Sequence, residues 1–260
     1  MDQNQTFDPK SRISILGCGW LGMPLAQELV QGGYSVKGST TSEAKLAGMR
    51  QLGIVPFLIN LHQPAPDLSD FLEADVLIVA IPSKNLDAFR YLIGAIEASA
   101  IRKVLFVSST SVYPNVNGVV TEEAETNDSA LAQIENLFRS NKAFQTTIVR
   151  FGGLFGYDRN PGRFFAEGRK IDNPEGFVNL IHRDDCLRII TRILEQNIWG
   201  KTLNACADAH PTRRAFYTRE ALKLGRKAPE FHEMPSTEYK IINSDKLKAL
   251  LGYSFLYPDL

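Results

Sequence analysis

Between residues 13 and 150 the hydrophobic positions alternate between two textures. Short runs rich in β-branched residues, at 13–16, 34–38, 54–59, 76–81, 104–107 and 146–150, are each followed by stretches whose apolar residues recur at helical spacing. That alternation predicts β-α-β units around a parallel sheet of six strands, the doubly wound Rossmann-like α/β class. Leu21, Leu25, Leu29 and Val30 share one predicted helix face, and Leu86, Phe89, Ile93, Ile96 and Ala100 share another. The stretch 63–70, with Pro64 and Pro66, reads as a connection.

After Arg150 the texture changes. FGGLFGYDRNPGR is rich in Gly and aromatic residues without a period and reads as a loop. A strand at 177–181, a helix at about 184–195, a strand at 202–205 and helices near 212–224 and 244–251 follow. The chain then divides into a polar tail at 1–11, a dinucleotide-binding core at 12–150, and a smaller substrate-side portion at 151–260 packed on that core.

Composition narrows the class. The 260 residues are 44% hydrophobic and 22% charged, with 29 basic against 29 acidic side chains, so nothing favours nucleic acid or an anionic membrane as partner. The longest apolar run, 76–81, is far below the ~20 residues of a membrane span. With no signal-like N-terminus and three scattered cysteines, Cys18, Cys186 and Cys206, the expectation is a cytoplasmic protein with reduced thiols and no metal site.

The sharpest motif is Gly17-Cys18-Gly19-Trp20-Leu21-Gly22, a G-x-G-x-x-G between the first strand and the first helix. It demands glycine for a tight turn, for close approach of backbone to a pyrophosphate, and for helix-sheet packing, with the anion held by the helix N-terminus. Pro24 in the first helical turn is compatible with that geometry. The acid that would bind the ribose hydroxyls of NAD, expected about 20 residues on, is replaced by Ser39, Thr40, Thr41 and Ser42, with Lys45 nearby. Hydroxyl donors without a carboxylate favour the 2′-phosphate of NADP over NAD. The same hydroxyls also suit a helix cap.

At 106–113, Phe-Val-Ser-Ser-Thr-Ser-Val-Tyr, the chain resembles the extended short-chain dehydrogenase/reductases of the NAD-dependent epimerase/dehydratase family. Residues 149–156 look like the strand and loop that cover the nicotinamide, and 180–185 like the family's Ile-His-x-x-Asp segment. The resemblance implies cofactor contacts that extend to Ala80, Pro82, Ser108, Arg150, Gly152 and Gly153. It implies a catalytic Ser/Thr at Ser109; Tyr113, whose equivalent in the family normally lines the pocket, is a candidate substitute proton donor. The family's Tyr-x-x-x-Lys pair is absent: anchored on Glu135, its positions fall on Asn127 and Leu131. The arginine that meets the diphosphate in sugar-nucleotide members corresponds to Val178, with Arg163 or Arg183 as substitutes.

Two functions follow as expectations. One is an NAD(P)-dependent oxidoreductase or epimerase-like enzyme acting on a carbonyl or hydroxyl carbon of a small molecule, a nucleotide sugar being one candidate. The other is a catalytically silent NAD(P)-binding sensor or partner-binding protein. The resemblance also implies a homodimer paired through helices at 86–100 and 130–141. His182, Asp184 and Asp185 read as structural, and the basic run 213–227, six cations against Glu220, as a solvated helix face.

Overall fold

The structure is a computed structural model and describes residues 11–63, 66–165, 169–233 and 238–260. The polar tail, apart from Ser11, and Pro64 lie outside the described residues. Eleven strands and seven α-helices are present among the described residues. A seven-stranded sheet contains β1 (Arg12–Leu16), β2 (Ser35–Thr40), β3 (Val55–Leu58), β4 (Val76–Val79), β5 (Lys103–Ser109), β7 (Gln145–Phe151) and β10 (Thr202–Ala205), in the order β10-β7-β5-β4-β1-β2-β3. β1 lies parallel to both β2 and β4, with Ile13 opposite Val36 and Val76. The alternating pattern therefore gave a Rossmann-like α/β fold, as expected. β4 is buried at every position, the continuous apolar run that a parallel strand covered on both faces requires.

Three expectations change. The sheet has seven strands: β10, read as a strand of the C-terminal portion, completes it. A short pattern shows that a strand exists but not which sheet it joins. The second helix face stops early, because α3 (Leu86–Glu97) ends before Ala100, where the Ser99 hydroxyl donates to the Ile96 carbonyl at 2.8 Å. The aperiodic stretch after Arg150 contains β8 (Gly153–Phe155), paired in parallel with β9 (Leu180–His182). The predicted strand at 177–181 is correspondingly shorter, and Phe177 makes a single bridge to Thr212.

By its contacts the chain divides into two compact units. The first comprises the chain up to Ser108 with Asp128–Val149 and Leu187–Thr202. Its core gathers the inward faces of α3 and α4 (Ala130–Ser140) around Phe89, Phe106 and Phe138, the last two stacked with centroids 4.9 Å apart. Truncating one such ring to alanine typically costs about 3–5 kcal/mol. The second comprises Ser109–Asn127, Arg150–Cys186 and Leu203–Leu260. It holds β8 and β9, the pair β6 (Gly118–Val120) with β11 (Lys240–Ile242), α6 (Arg213–Lys223) and α7 (Asp245–Leu251). Its small apolar cluster is Val178, Leu180 and Phe216. α5 (Arg183–Glu195) carries Asp185, a fully buried carboxylate that accepts from the Tyr253 hydroxyl at 2.6 Å and the Leu256 amide at 2.7 Å.

Candidate cofactor site

β1 delivers Gly17 directly into the turn that opens α1 (Gly22–Gln31). Gly17 has φ +104°, and a Cβ there would lie 2.6 Å from Ile81 Cγ2 and 2.8 Å from the Ala80 carbonyl oxygen. A Cβ on Gly22 would meet the Gly17 carbonyl oxygen at 2.1 Å. Both glycines are thus demanded by the protein itself. Gly19 differs: a Cβ there meets nothing within 4 Å, so the open space above it is where a ligand can come against backbone.

The helix start is equally open. Leu21 occupies the N-cap of α1 and gives no side-chain cap, whereas Asn85, Ser129 and Thr212 cap α3, α4 and α6 with their own oxygens. The first amides of an α-helix lack intrahelical acceptors, and with the positive end of the dipole they attract an anion. A cavity of about 380 Å³ adjoins this turn, lined by Gly17–Gly19, Ser39–Thr41, Lys45, Ile59–His62 and Ala80–Ser83. It lies wholly in the first unit, at the carboxyl ends of β1 to β4, the place where open α/β sheets bind ligands.

The hydroxyl cluster splits into two halves. Ser39 is buried; its hydroxyl accepts from the Gly17 amide at 2.9 Å while its carbonyl accepts from the Cys18 amide at 2.7 Å, so it braces the glycine turn. Thr40 is also buried, and its hydroxyl accepts from the Ser42 amide at 3.2 Å. Thr41 and Lys45 are exposed on the cavity wall. Cys18 points inward: a Cβ on Gly38 would come 2.6 Å from its Sγ, and burial pushes the thiol up to about 12. Trp20, Leu21 and Ser42 do not line the cavity. Asn60, Leu61 and His62 do line it and were missed; they follow β3 in a short turn with no periodicity, and their only signal was the end of a parallel strand.

The residues expected around the nicotinamide are differently engaged. Ser108, at the end of β5, is buried and donates to Glu135 Oε1 at 2.5 Å, and the fully buried Glu135 also receives Arg139 at 3.0 Å. In the second unit, Ser109 is partly exposed, and its hydroxyl accepts from the Ser111 amide at 3.1 Å. Tyr113 is 1% exposed; its hydroxyl donates to Asn204 Oδ1 at 2.8 Å and accepts from Arg150, whose guanidinium lies 4.7 Å from the ring centroid. Burial raises the tyrosine's pKa against the opposing pull of Arg150. Arg150 is itself 2% exposed. Tyr113 and Arg150 are therefore brought together as a buried anchor, an arrangement unlike that of a proton donor open to substrate. Gly152 and Gly153 are needed for contact with Asn179 and Leu180, where Cβ atoms would meet them at 2.8 and 2.6 Å.

The missing pair has a structural counterpart. Asn127 lies before α4 begins; its amide donates to the Val112 carbonyl at 2.7 Å and its side-chain amide to the Ser111 carbonyl at 3.0 Å. Leu131 packs against the first unit's core. His182 is buried between Phe155 and Tyr257, and its Nδ1 accepts from the Asp184 amide at 3.3 Å. Val178 is buried beneath α6.

No family profile matches this chain. Protein YeeZ of Escherichia coli K12 is 34% identical over 266 aligned positions, covering 95% of this chain and 97% of YeeZ. The chain belongs to the YeeZ family. Solved structures similar to this YeeZ-family chain include a functionally unknown conserved protein from Silicibacter pomeroyi, with TM-score 0.80, 20% identity and coverage of 96% and 95% of the two chains. A putative NAD-dependent epimerase/dehydratase from Methylobacillus flagellatus gives 0.75, 23%, 96% and 94%. UDP-glucuronic acid 4-epimerase from Bacillus cereus, in complex with NAD, gives 0.75, 20%, 94% and 94%. The fold implied by the resemblance at 106–113 is therefore the observed fold. Among the described residues no helix is long and apolar enough to cross a membrane.

Proposed function

We propose that this YeeZ-family protein binds a nicotinamide dinucleotide and acts on a carbonyl or hydroxyl carbon of a small molecule, as an oxidoreductase or epimerase-like enzyme. The uncapped start of α1 beside the open face of Gly19 carries this reading. The amides there would hold the pyrophosphate, and Ser39 keeps them aimed by bracing Gly17. When bound, the cofactor supplies or accepts the hydride. Ser109 is the side chain left to polarise a substrate oxygen, and Tyr113 with Arg150 holds the segment that follows it. That structures of this fold have been solved with NAD, UDP-glucose and UDP-glucuronic acid supports both the cofactor class and a small-molecule substrate.

NADP is the preferred form in this reading, through Thr41 and Lys45 on the cavity wall. Ser39 and Thr40 already serve as acceptors within the turn. Hydrogen bonds to charged groups contribute about 1.5–3 kcal/mol, so Lys45→Glu should weaken NADPH about tenfold or more and leave NADH little changed. The cytoplasm is the proposed location. Two copies could pair through the outer faces of α3 and α4, which expose Arg90, Tyr91, Asn136 and Arg139; light scattering reads that pairing.

Loss of the Tyr/Lys pair favours a second reading, a catalytically silent dinucleotide-binding sensor. Thermal unfolding with NADPH, NADP, NADH and NAD tests the shared part. A ligand at a hundred times its dissociation constant adds about 2.7 kcal/mol, a midpoint rise of several degrees, and no rise with any of the four removes both readings. Turnover separates them: NADPH oxidation with a carbonyl panel that Ser109→Ala abolishes identifies the enzyme. Binding with no turnover identifies the sensor.

A further inference from the structure

The second unit has a cavity of its own, of about 260 Å³, between α6, the turn Pro161–Arg163 and residues 226–230. Its floor is fixed. A Cβ on Gly162 would meet the Glu220 carbonyl oxygen at 2.3 Å, and Arg226 donates to the Gly162 carbonyl at 2.9 Å. One wall is aromatic, with Phe165 and Tyr217 edge to face at 4.8 Å. Among the described residues Tyr217 makes ring contacts but no hydrogen bond, and it belongs to the cavity lining.

The charges around it are unbalanced. Most cations of the 213–227 run are engaged: Arg214 pairs with Glu175 and Glu233, while Arg219 and Lys223 pair with Glu220. Two cavity cations are not. Among the described residues Lys227 forms no hydrogen bond or ion pair, and Arg169 only lies 5.9 Å from the Phe165 centroid. Glu230, the one carboxylate among the described lining residues, faces Lys170 at 3.8 Å. Among the described lining residues Arg169, Arg226 and Lys227 thus outnumber Glu230 beside a flat aromatic wall.

We propose that this cavity binds a phosphate monoester carrying a flat ring, a ligand of nucleotide size. The ring lies against Phe165 and Tyr217, the Tyr217 hydroxyl hydrogen-bonds to it, and the dianionic phosphate sits between Arg169 and Lys227 with Arg226 behind. Guanidinium and ammonium donors suit phosphate oxygens, and a ring edge gains from aromatic contact. The site involves neither Val178 nor the glycine turn, so it stands whether or not a dinucleotide binds the first unit.

Uridine 5′-monophosphate and phenyl phosphate are suitable probes because neither carries the cofactor's adenine. Calorimetric titration of the full chain is expected to show binding of at least one of them, with uridine and inorganic phosphate at least tenfold weaker. Saturating NADPH should not displace it. Arg169→Ala/Lys227→Ala, two exposed positions whose loss should leave the fold intact, should weaken the probe at least tenfold and leave the NADPH-induced thermal shift unchanged. Tyr217→Phe should weaken it less. The proposal is overturned by absence of binding for both probes, by binding equal to that of phosphate alone, by displacement with NADPH, or by binding that survives the double substitution. A missing NADPH shift with probe binding intact would instead count against the dinucleotide reading alone.

Discussion

Two helices of the first unit begin in opposite ways. α1 opens on Leu21 with no side-chain cap and empty space over Gly19, whereas Ser129 closes the start of α4 by accepting from the Ala132 amide. Asn127, just before it, is spent on the carbonyls of Ser111 and Val112. An identical physical feature, the N-terminus of a helix that follows a strand, lacks a side-chain cap in one place, where the Met23 amide donates to the Gly19 carbonyl, and carries one in the other. Vacancy costs stability, because uncapped amides forgo about 1 kcal/mol of capping. At Asn127 and Leu131, where the resemblance would place a reactive pair, the chain makes its own hydrogen bonds and packing.

The contrast can be broken hardest at Gly22. Gly22→Ala places a Cβ against the Gly17 carbonyl oxygen, and overpacking of this kind should cost roughly 1–3 kcal/mol or more and abolish the NADPH shift; calorimetric unfolding measures both. At the closed end, Glu135→Ala strands the buried Ser108 hydroxyl and should cost about 1–3 kcal/mol without touching cofactor affinity, a separation visible in one denaturant titration with and without NADPH.

Acid should distinguish the units next. Burial lowers the pKa of His182 and His210, both in the second unit, so below the ordinary histidine value of about 6.5 the unfolded chain binds more protons than the folded one. Stability should be flat above that pH and fall as pH drops through the interval down to the depressed folded values. Hydrogen exchange at pH 7 and 5.5 should show protection lost first in residues 150–186 and 203–260. Equal loss in both units would refute it. The smallest effect on stability belongs to Gly19→Ala: with nothing within 4 Å the fold should change by less than about 0.5 kcal/mol, while the dinucleotide shift is lost. A variant that unfolds, or one that still binds, would end the contrast with Gly22.

What the sequence disclosed follows from the range of the forces involved. β1, the glycine turn and α1 are contiguous and periodic, so pattern and spacing located the turn and the close packing at Gly17 and Gly22. Ser39 and Thr40 were placed correctly at the end of β2, but not their engagement as acceptors, which depends on a turn 22 residues away for Ser39. The pairs β6 with β11 and β8 with β9 are three-residue strands joined across long separations and leave no local pattern. Tyr113, Arg150 and Asn204 form one buried knot from three distant segments, and a charged arginine gives no sign in sequence that it will be buried.

The position of β4 beside β1 also orders events in time. Every residue lining the cavity at the glycine turn lies between Leu16 and Ser83. The Ala80 amide that bonds to the Leu16 carbonyl, and the Ile81 methyl that crowds Gly17, belong to the last stretch to arrive, which ends at Ser83. Domains generally fold as units, N-terminal ones first during synthesis. A ribosome therefore makes every residue of this cavity wall within the first third of translation, long before it makes β10 at the far edge of the sheet, so the wall is complete in sequence while the unit that must hold it in shape still awaits its later strands.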